Sequence, residues 1–350
     1  MPALKVRIGC VVLAVVMSAV TYYIVEPRLR WGRYGGYKAA GLLSVMVVVG
    51  VAGYSIERHD GYTVRMNDPE QPVINAINKK LEEDNQRCLK IFPNWNKFAW
   101  GHDVLKCKMQ RDPGENTIAV IGDSHAGHLY PGLVGDGGRG VALFSTACAI
   151  PLIGLLSSAE YKHTERLLSQ GFDYVVRHKN IRKVVLSHWS ACSWHKVVDT
   201  RNPSNHNFDS ILYDGFTRTY KILTQAGKDI FIVSDTPSYT NTDWAKCKSL
   251  TVRRPVSIPM FLSPMNSNVC LVEQSKLPGR ESRDNWNKVA REVAVGYKNV
   301  HFIDLEKAFC SEGKCSLVGT NGKLFSDDGG HLNISGSLHA APSILHQLSD

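Results

Sequence analysis

Apolar and amphipathic segments alternate along the chain from about residue 118 to its end. Short apolar runs between polar turns predict five buried β-strands, at residues 118–121, 142–144, 183–186, 230–233 and 300–303. Longer stretches with apolar residues at helical spacing predict helices at residues 161–176, 211–226, 284–295 and 335–348. Buried strands separated by helices predict an α/β fold with a parallel sheet and helices on both faces.

Two longer apolar stretches open the chain. Residues 8–25 contain no charged side chain and are long enough to cross a bilayer as a helix, and residues 39–54 form a shorter apolar stretch. Lys5 and Arg7 precede the first stretch as they would in a signal peptide, but no small-residue cleavage site follows it. We therefore predict two transmembrane helices within residues 1–55.

The connector between these helices is basic. Its four positive residues predict a cytoplasmic location, which places the large C-terminal part outside; they are Arg28, Arg30, Arg33 and Lys38. Residues 56–86 are polar and predict a stalk with a lead-in helix. The remaining residues, 87–350, form the predicted extracytoplasmic domain.

The formal charge of +9 does not indicate a nucleic-acid partner. Residues 1–55 hold six basic residues and one acidic residue, so more than half of the excess lies beside the predicted membrane helices. The rest of the chain has a mild excess without the mixed basic and aromatic surface that binds nucleic acids. No nucleic-acid partner is therefore predicted.

The tetrapeptide 122–125, Gly-Asp-Ser-His, comes directly after the first predicted strand. A serine at a strand-to-helix turn can expose its hydroxyl, and unpaired N–H groups beside it can hold an oxyanion. Near the end of the chain, Asp328 precedes His331 by three residues. Together, Ser124, His331 and an acid compose a possible Ser-His-Asp triad at one edge of the sheet.

These two motifs resemble the first and last blocks of the SGNH hydrolase superfamily. The likeness is closest to the SGNH domain fused to bacterial membrane O-acyltransferases of the acyltransferase-three family, which modify envelope polysaccharides. Four further stretches fit this narrower group: residues 146–151, 187–189, 234–237 and 309–315. The resemblance implies an SGNH-type, flavodoxin-like three-layer α/β/α fold.

The resemblance also implies residue roles. Ser124 is the expected nucleophile, His331 the base and Asp328 the acid, with Asp327 as the nearer rival. Two further acids that end strands on the same edge remain alternatives, Asp235 and Asp304.

The oxyanion and acceptor sites are less well defined by the sequence. The wider superfamily has Asn in its third block, where this chain has His188 and Trp189. We expect the backbone N–H of Ser124 to be one oxyanion donor and one near Ala147 to be a second. Trp189 lines the acceptor site or is a buried aromatic residue.

The function implied by the resemblance is transfer of an acyl group, expected to be acetyl, to a hydroxyl of a cell-envelope polysaccharide. A carbohydrate or lipid esterase is the first alternative, and a non-catalytic glycan-binding domain is the second. The domain itself needs no cofactor under this interpretation. Acetyl-CoA would be the ultimate donor, through a membrane acyltransferase partner or a missing N-terminal domain, and the protein would lie in the bacterial inner membrane with its catalytic domain in the periplasm.

Nine cysteines occur in the chain, and all but Cys10 lie outside the apolar stretches. An even set of eight suits an oxidising compartment. Local spacing and the resemblance together favour Cys88–Cys107 and Cys310–Cys315, and we pair the remainder as Cys247–Cys270 and Cys148–Cys192. Without a Cys-x-x-Cys pair, or a third ligand near His125 and His128, no metal site is predicted.

Overall fold

A computed structural model describes residues 4–27, 34–58, 71–95, 106–135, 139–157, 162–193, 196–240, 244, 246–247, 270–320 and 323–349. The chain divides into two compact units. The smaller contains Met1–Pro69, and the larger contains Glu70–Val252 and Met260–Asp350.

The larger unit is built on a six-stranded sheet. In the part of the chain that the structure describes, the strands are β1 Lys108–Met109, β2 Ile118–Gly122, β3 Val141–Ser145, β4 Leu155–Leu156, β5 Lys183–Ser187, β6 Val198–Asp199, β7 Asp229–Val233, β8 Leu271–Glu273, β9 Val300–Ile303, β10 Cys310–Ser311 and β11 Lys314–Ser316. The order in the central sheet is β1-β3-β2-β5-β7-β9, parallel except for β1. This confirms the predicted α/β fold with a mostly parallel sheet, and each predicted strand is correct to within one residue at either end.

Helices cover both faces of the sheet. The α-helices among the described residues are α1 Leu4–Val20, α2 Gly35–Arg58, α3 Gln71–Leu89, α4 Ser124–Gly127, α5 Tyr130–Leu133, α6 Lys162–Arg177, α7 Ser190–Ser193, α8 Phe208–Gln225, α9 Arg280–Ala294, α10 Glu306–Phe309 and α11 Ile334–Gln347. Because side chains alternate along a strand, Ala119 and Ile121 pack with α6, α8 and α9, whereas Ile118 and Val120 pack with α5 and α11. The unit therefore has three layers.

Helix ends follow local capping that the apolar pattern does not reveal. Helix α8 begins at Phe208, before the predicted start at residue 211, because the Asn207 side chain accepts a hydrogen bond from the Ser210 N–H at 3.0 Å. Asn333 caps α11 in the same way through the Gly336 N–H, also at 3.0 Å.

The smaller unit contains α1, which continues as a π-helical turn over Thr21–Val25, and α2. In the described part of the chain, α2 is the one helix long and apolar enough to cross a membrane, and none of its apolar window is buried. The apolar part of the first helix, Val11–Ile24, is shorter. One candidate span is thus present, and the second transmembrane helix stays a prediction.

Helix α3 is part of the larger unit, although the sequence predicts a stalk and lead-in helix over this region and a domain boundary at residue 87. Asp84 is buried and accepts a hydrogen bond from the Tyr130 hydroxyl at 2.9 Å. The Asn85 side chain donates to the Cys107 carbonyl at 2.7 Å. Leu81, Cys88 and Leu89 also pack against the apolar clusters of the larger unit, so polar and apolar side chains together attach α3 to it.

All four predicted cysteine pairs are bonded. Cys88–Cys107 links α3 to the segment before β1, and Cys148–Cys192 links the turn after β3 to α7. Cys310–Cys315 joins β10 to β11 in a three-stranded antiparallel sheet with β8, and Cys247–Cys270 lies beside it in the same apolar cluster. Each bridge shortens the loops of the unfolded chain and so favours the folded state.

Thiol labelling tests this pattern of bridges. In the denatured, non-reduced chain we expect Cys10 alone to react, because the other eight cysteines are paired. Reduction should lower the free energy of unfolding by about 2–4 kcal/mol for each bridge broken. Labelling of Cys310 or Cys315 without reductant would contradict the assignment.

Candidate active site

Ser124 lies at the carboxyl edge of the sheet, as the first residue of α4 directly after β2. Gly122 permits this turn, because a Cβ at that position would lie 1.8 Å from the Ser187 carbonyl oxygen in β5. The Asp123 side chain caps α4 by accepting a hydrogen bond from the His125 N–H at 2.8 Å. Ser124 is half-buried and lies at the edge where parallel sheets bind ligands.

His331 and Asp328 meet Ser124 across the loop before α11. The Ser124 Oγ is 2.9 Å from the His331 Nε2, and the His331 Nδ1 is 2.7 Å from the Asp328 Oδ2. The Asp328 Oδ1 also accepts hydrogen bonds from the N–H groups of Gly330 and His331, each at 2.8 Å.

These contacts favour the ionised form of Asp328. Burial alone would raise the pKa of Asp328, but the hydrogen bonds from the His331 side chain and the two backbone N–H groups hold its pKa well below the usual value. An ionised carboxylate beside Nδ1 keeps the imidazole proton there. The Nε2 atom is then free to accept the Ser124 hydroxyl proton.

The other predicted acids have different partners. Asp327 accepts a hydrogen bond from the Asn333 amide at 3.1 Å, and Asp235 pairs with His125. Of the residues that the structure describes, Asp328 is the one acid hydrogen-bonded to His331. The geometry therefore brings together Ser124, His331 and Asp328. It does not place Asp327, Asp235 or Asp304 in hydrogen-bond contact with His331.

His188 packs against Asp123, the residue that caps the serine turn. Its side chain is fully buried, with Nδ1 2.9 Å from the Asp123 Oδ2 and Nε2 2.7 Å from the Ser193 Oγ. Burial would raise the pKa of Asp123, but attraction to His188 and then to His125 lowers it. Because the ring is buried, with its two nitrogens beside Asp123 and Ser193, His188 does not fit the predicted oxyanion or acceptor site.

Trp189 and Ala147 lie at the same edge. The Trp189 N–H donates to the Asp123 Oδ2 at 2.9 Å, so it is not an oxyanion donor, while its half-buried ring stacks on His125. Ala147 is half-buried in the turn after β3. Within the described ranges, no backbone carbonyl accepts a hydrogen bond from the N–H of Ser124 or Ala147.

Two more histidines pack beside the triad. The His125 Nδ1 is 2.5 Å from the Asp235 Oδ1, and the His128 Nδ1 accepts a hydrogen bond from the Leu332 N–H at 3.2 Å. Burial would lower the pKa of His125, but Asp235 outweighs it and raises this pKa. Burial, and then the charge of His125, lower the pKa of His128 well below its usual value. The surroundings therefore favour the protonated form of His125 and the neutral form of His128.

Trp244 packs on the loop that carries Asp328 and His331, a contact that the sequence does not reveal. Gly329 has a φ of +85°, and a Cβ there would lie 3.0 Å from the Trp244 ring. The Gly329 carbonyl accepts a hydrogen bond from the Tyr239 N–H at 2.6 Å. The segment after β7 therefore supports the histidine loop.

One cluster among the described residues places possible metal-ligand atoms close together: Glu306, Cys310 and Cys315. Its two sulfur atoms form a disulfide bond. A metal site needs deprotonated thiolates, so this cluster does not supply one.

Several solved structures are similar to the chain. The periplasmic domain of the lipopolysaccharide acetyltransferase of Salmonella ser. Paratyphi A is 17% identical, with 68% of this chain and 85% of that chain covered and a TM-score of 0.48. A candidate SGNH hydrolase from Slackia heliotrinireducens is 15% identical, with 66% and 97% covered and a TM-score of 0.39. No curated protein shows significant sequence similarity.

The sequence also matches a protein family. The family is described as the SGNH domain fused to AT3 domains, and its model matches residues 88–346. That span runs from the end of α3 to α11 and contains Ser124, Asp328 and His331. Because the match covers most of the chain, the protein belongs to this family of SGNH domains and is an enzyme of the acyltransferase or ester-hydrolase type.

Proposed function

We propose that the protein transfers an acyl group, acetyl in the first instance, to a hydroxyl of a cell-envelope polysaccharide through an acyl-serine intermediate. The observation that carries this proposal is the continuous hydrogen-bonded chain from Ser124 through His331 to Asp328. In this series Ser124 supplies the nucleophile, His331 the base and Asp328 the acid that nucleophilic acyl transfer requires. SGNH domains need no cofactor for this chemistry.

In the first half of the reaction, the His331 Nε2 takes the hydroxyl proton of Ser124. The Oγ attacks the acyl carbon, and the backbone N–H groups of Ser124 and Ala147 stabilise the oxyanion. The bond from the acyl carbon to the donor oxygen then breaks, and His331 returns its proton to that leaving oxygen. Asp328 stabilises the imidazolium while it exists.

The second half reverses these roles. A sugar hydroxyl gives its proton to the His331 Nε2 and attacks the acyl carbon. The bond to the Ser124 Oγ breaks, and the proton on His331 passes to this oxygen. The enzyme is restored and the sugar carries the acyl group.

The donor is proposed to come from a membrane acyltransferase that draws on acetyl-CoA. The family description, with its fusion to AT3 domains, supports this source. Four disulfide bridges support an oxidising location such as the periplasm, and α2 supports attachment to the inner membrane. The basic connector before α2 would then face the cytoplasm.

An esterase is the second candidate, because the same groups work with water as the acceptor. The open setting of the site favours this alternative: the side chains of His331 and Asp328 are 36% and 58% exposed. A transferase must therefore favour a bound sugar hydroxyl over abundant water, which requires a positioned acceptor.

An acceptor assay separates these two functions. The full chain in detergent is incubated with an activated acetyl ester, with and without envelope oligosaccharides, and the sugars are analysed by mass spectrometry. We expect slow hydrolysis alone and acetylated sugar when acceptor is present, with Ser124→Ala as the background control. Rapid removal of acetyl groups from acetylated glycan, with no gain by acceptors, would replace the transferase by the esterase.

A further inference from the structure

His125 follows the proposed nucleophile directly and uses only part of its hydrogen-bonding capacity. Its side chain is 2% exposed, and its Nδ1 is committed to Asp235 at 2.5 Å. Among the residues that the structure describes, none is hydrogen-bonded to its Nε2. The Nε2 of this buried imidazole is therefore unpaired in the resting protein, and it carries a proton to donate when the ring is protonated.

The position of this ring suits a role in the chemistry. Its centroid is 5.3 Å from that of His331 and 5.6 Å from that of Trp189, with the Trp189 ring nearly parallel to it. Trp189 lies just after β5, the strand that neighbours β2. The wider superfamily has an Asn at this point, where this chain has His188 and Trp189. The His125 ring therefore packs beside both the base and Trp189, one of the two residues that stand where that Asn is expected.

The surroundings of His125 favour its protonated form. Asp235 lies at the end of β7 and provides a buried negative partner, which outweighs the effect of burial on the pKa of His125. The protonated ring carries N–H groups at both nitrogens. A charged donor forms a shorter and stronger hydrogen bond to an oxyanion than a neutral amide does.

We propose that His125, held by Asp235, supplies the side-chain oxyanion donor of this site through its Nε2–H. The proposal rests on the acyl-serine chemistry above and deepens it. As negative charge develops on the carbonyl oxygen, the Nε2–H donates to that oxygen together with the Ser124 N–H. Loss of one such donor typically lowers kcat by about 10²–10³-fold.

Two amide substitutions separate this role from simple support of the fold. In His125→Asn the amide nitrogen takes the place of Nδ1 and can still meet Asp235, but nothing occupies the Nε2 position. In His125→Gln the amide nitrogen takes the Nε2 position. We expect kcat of the full chain on an activated acetyl ester to fall about 10²–10³-fold for His125→Asn with little change in KM, and at most about tenfold for His125→Gln.

His346→Asn is the matched control, because His346 is exposed in the last turn of α11. A kcat for His125→Asn within about threefold of wild type, or equal losses for Asn and Gln, would overturn the proposal. If His125→Asn does not fold, Asp235→Asn replaces it. Removing the charge of the partner should lower kcat about tenfold, and an unchanged kcat would overturn the proposal as well.

Failure of this inference is distinct from failure of the proposed function. If Ser124→Ala is inactive while His125→Asn is fully active, the acyl-serine chemistry stands and the donor assignment falls. If Ser124→Ala is as active as wild type, both fall.

Discussion

Replacement of Ser124 by alanine is expected to lower kcat for hydrolysis of an activated acetyl ester by up to ~10⁶-fold. The Ser124 Oγ is the atom that forms the acyl bond, and it lies 2.9 Å from the base at the His331 Nε2. His331→Ala should be about as severe, because the members of a triad act as one unit. The measurement is steady-state turnover of the purified full chain in detergent.

Ser204→Ala is a suitable control, since Ser204 is exposed in a turn and its hydroxyl meets Asn202. We expect turnover by this variant to equal that of wild type. If Ser124→Ala keeps most of the wild-type activity, Ser124 is not the nucleophile and the proposed chemistry fails.

Asp328→Asn is expected to lower kcat by about 10⁴-fold, the size of effect seen when a triad acid becomes an amide. The amide cannot stabilise the imidazolium of His331, and its NH2 group favours the wrong tautomer of the ring. The experiment compares kcat of Asp328→Asn and Asp327→Asn, two neighbouring substitutions that remove the same charge. Asp327 bonds to Asn333 rather than to His331, so its variant should retain kcat within about threefold.

The alternative acids make this comparison decisive. Equal losses for the two variants would show that charge near the loop matters and not a specific partner of His331. An unchanged kcat for Asp328→Asn would show that another residue is the acid of the triad. Asp235 would then be the next residue to substitute.

The sheet could be predicted from the sequence because its strands are buried on both faces. Residues such as Val120 and Ile121 point to opposite layers, so each strand appears as a continuous apolar run. The triad can also be predicted, because Ser124 follows the apolar run of β2 and the pair Asp328 and His331 comes just before helix α11. The cysteine pairs needed the resemblance, because eight cysteines alone allow 105 pairings.

Other features could not be predicted because they depend on contacts between distant polar residues. His125 and Asp235 are 110 positions apart and meet only when β2 and β7 lie in one sheet. The burial of His188 against Asp123 likewise depends on β2 pairing with β5. The hydrogen bonds of Asp84 and Asn85 in α3 also reach residues far along the chain, Tyr130 and Cys107.

Covalent labelling with a fluorophosphonate, followed by peptide mapping, tests the central claim most directly. An activated Ser124 forms a bond from its Oγ to phosphorus as fluoride leaves, and its proton passes to His331. We predict one label per chain on the peptide that contains Ser124, none in Ser124→Ala and little in His331→Ala. A chain that turns over ester but carries no label, or carries it on another residue, would contradict the account.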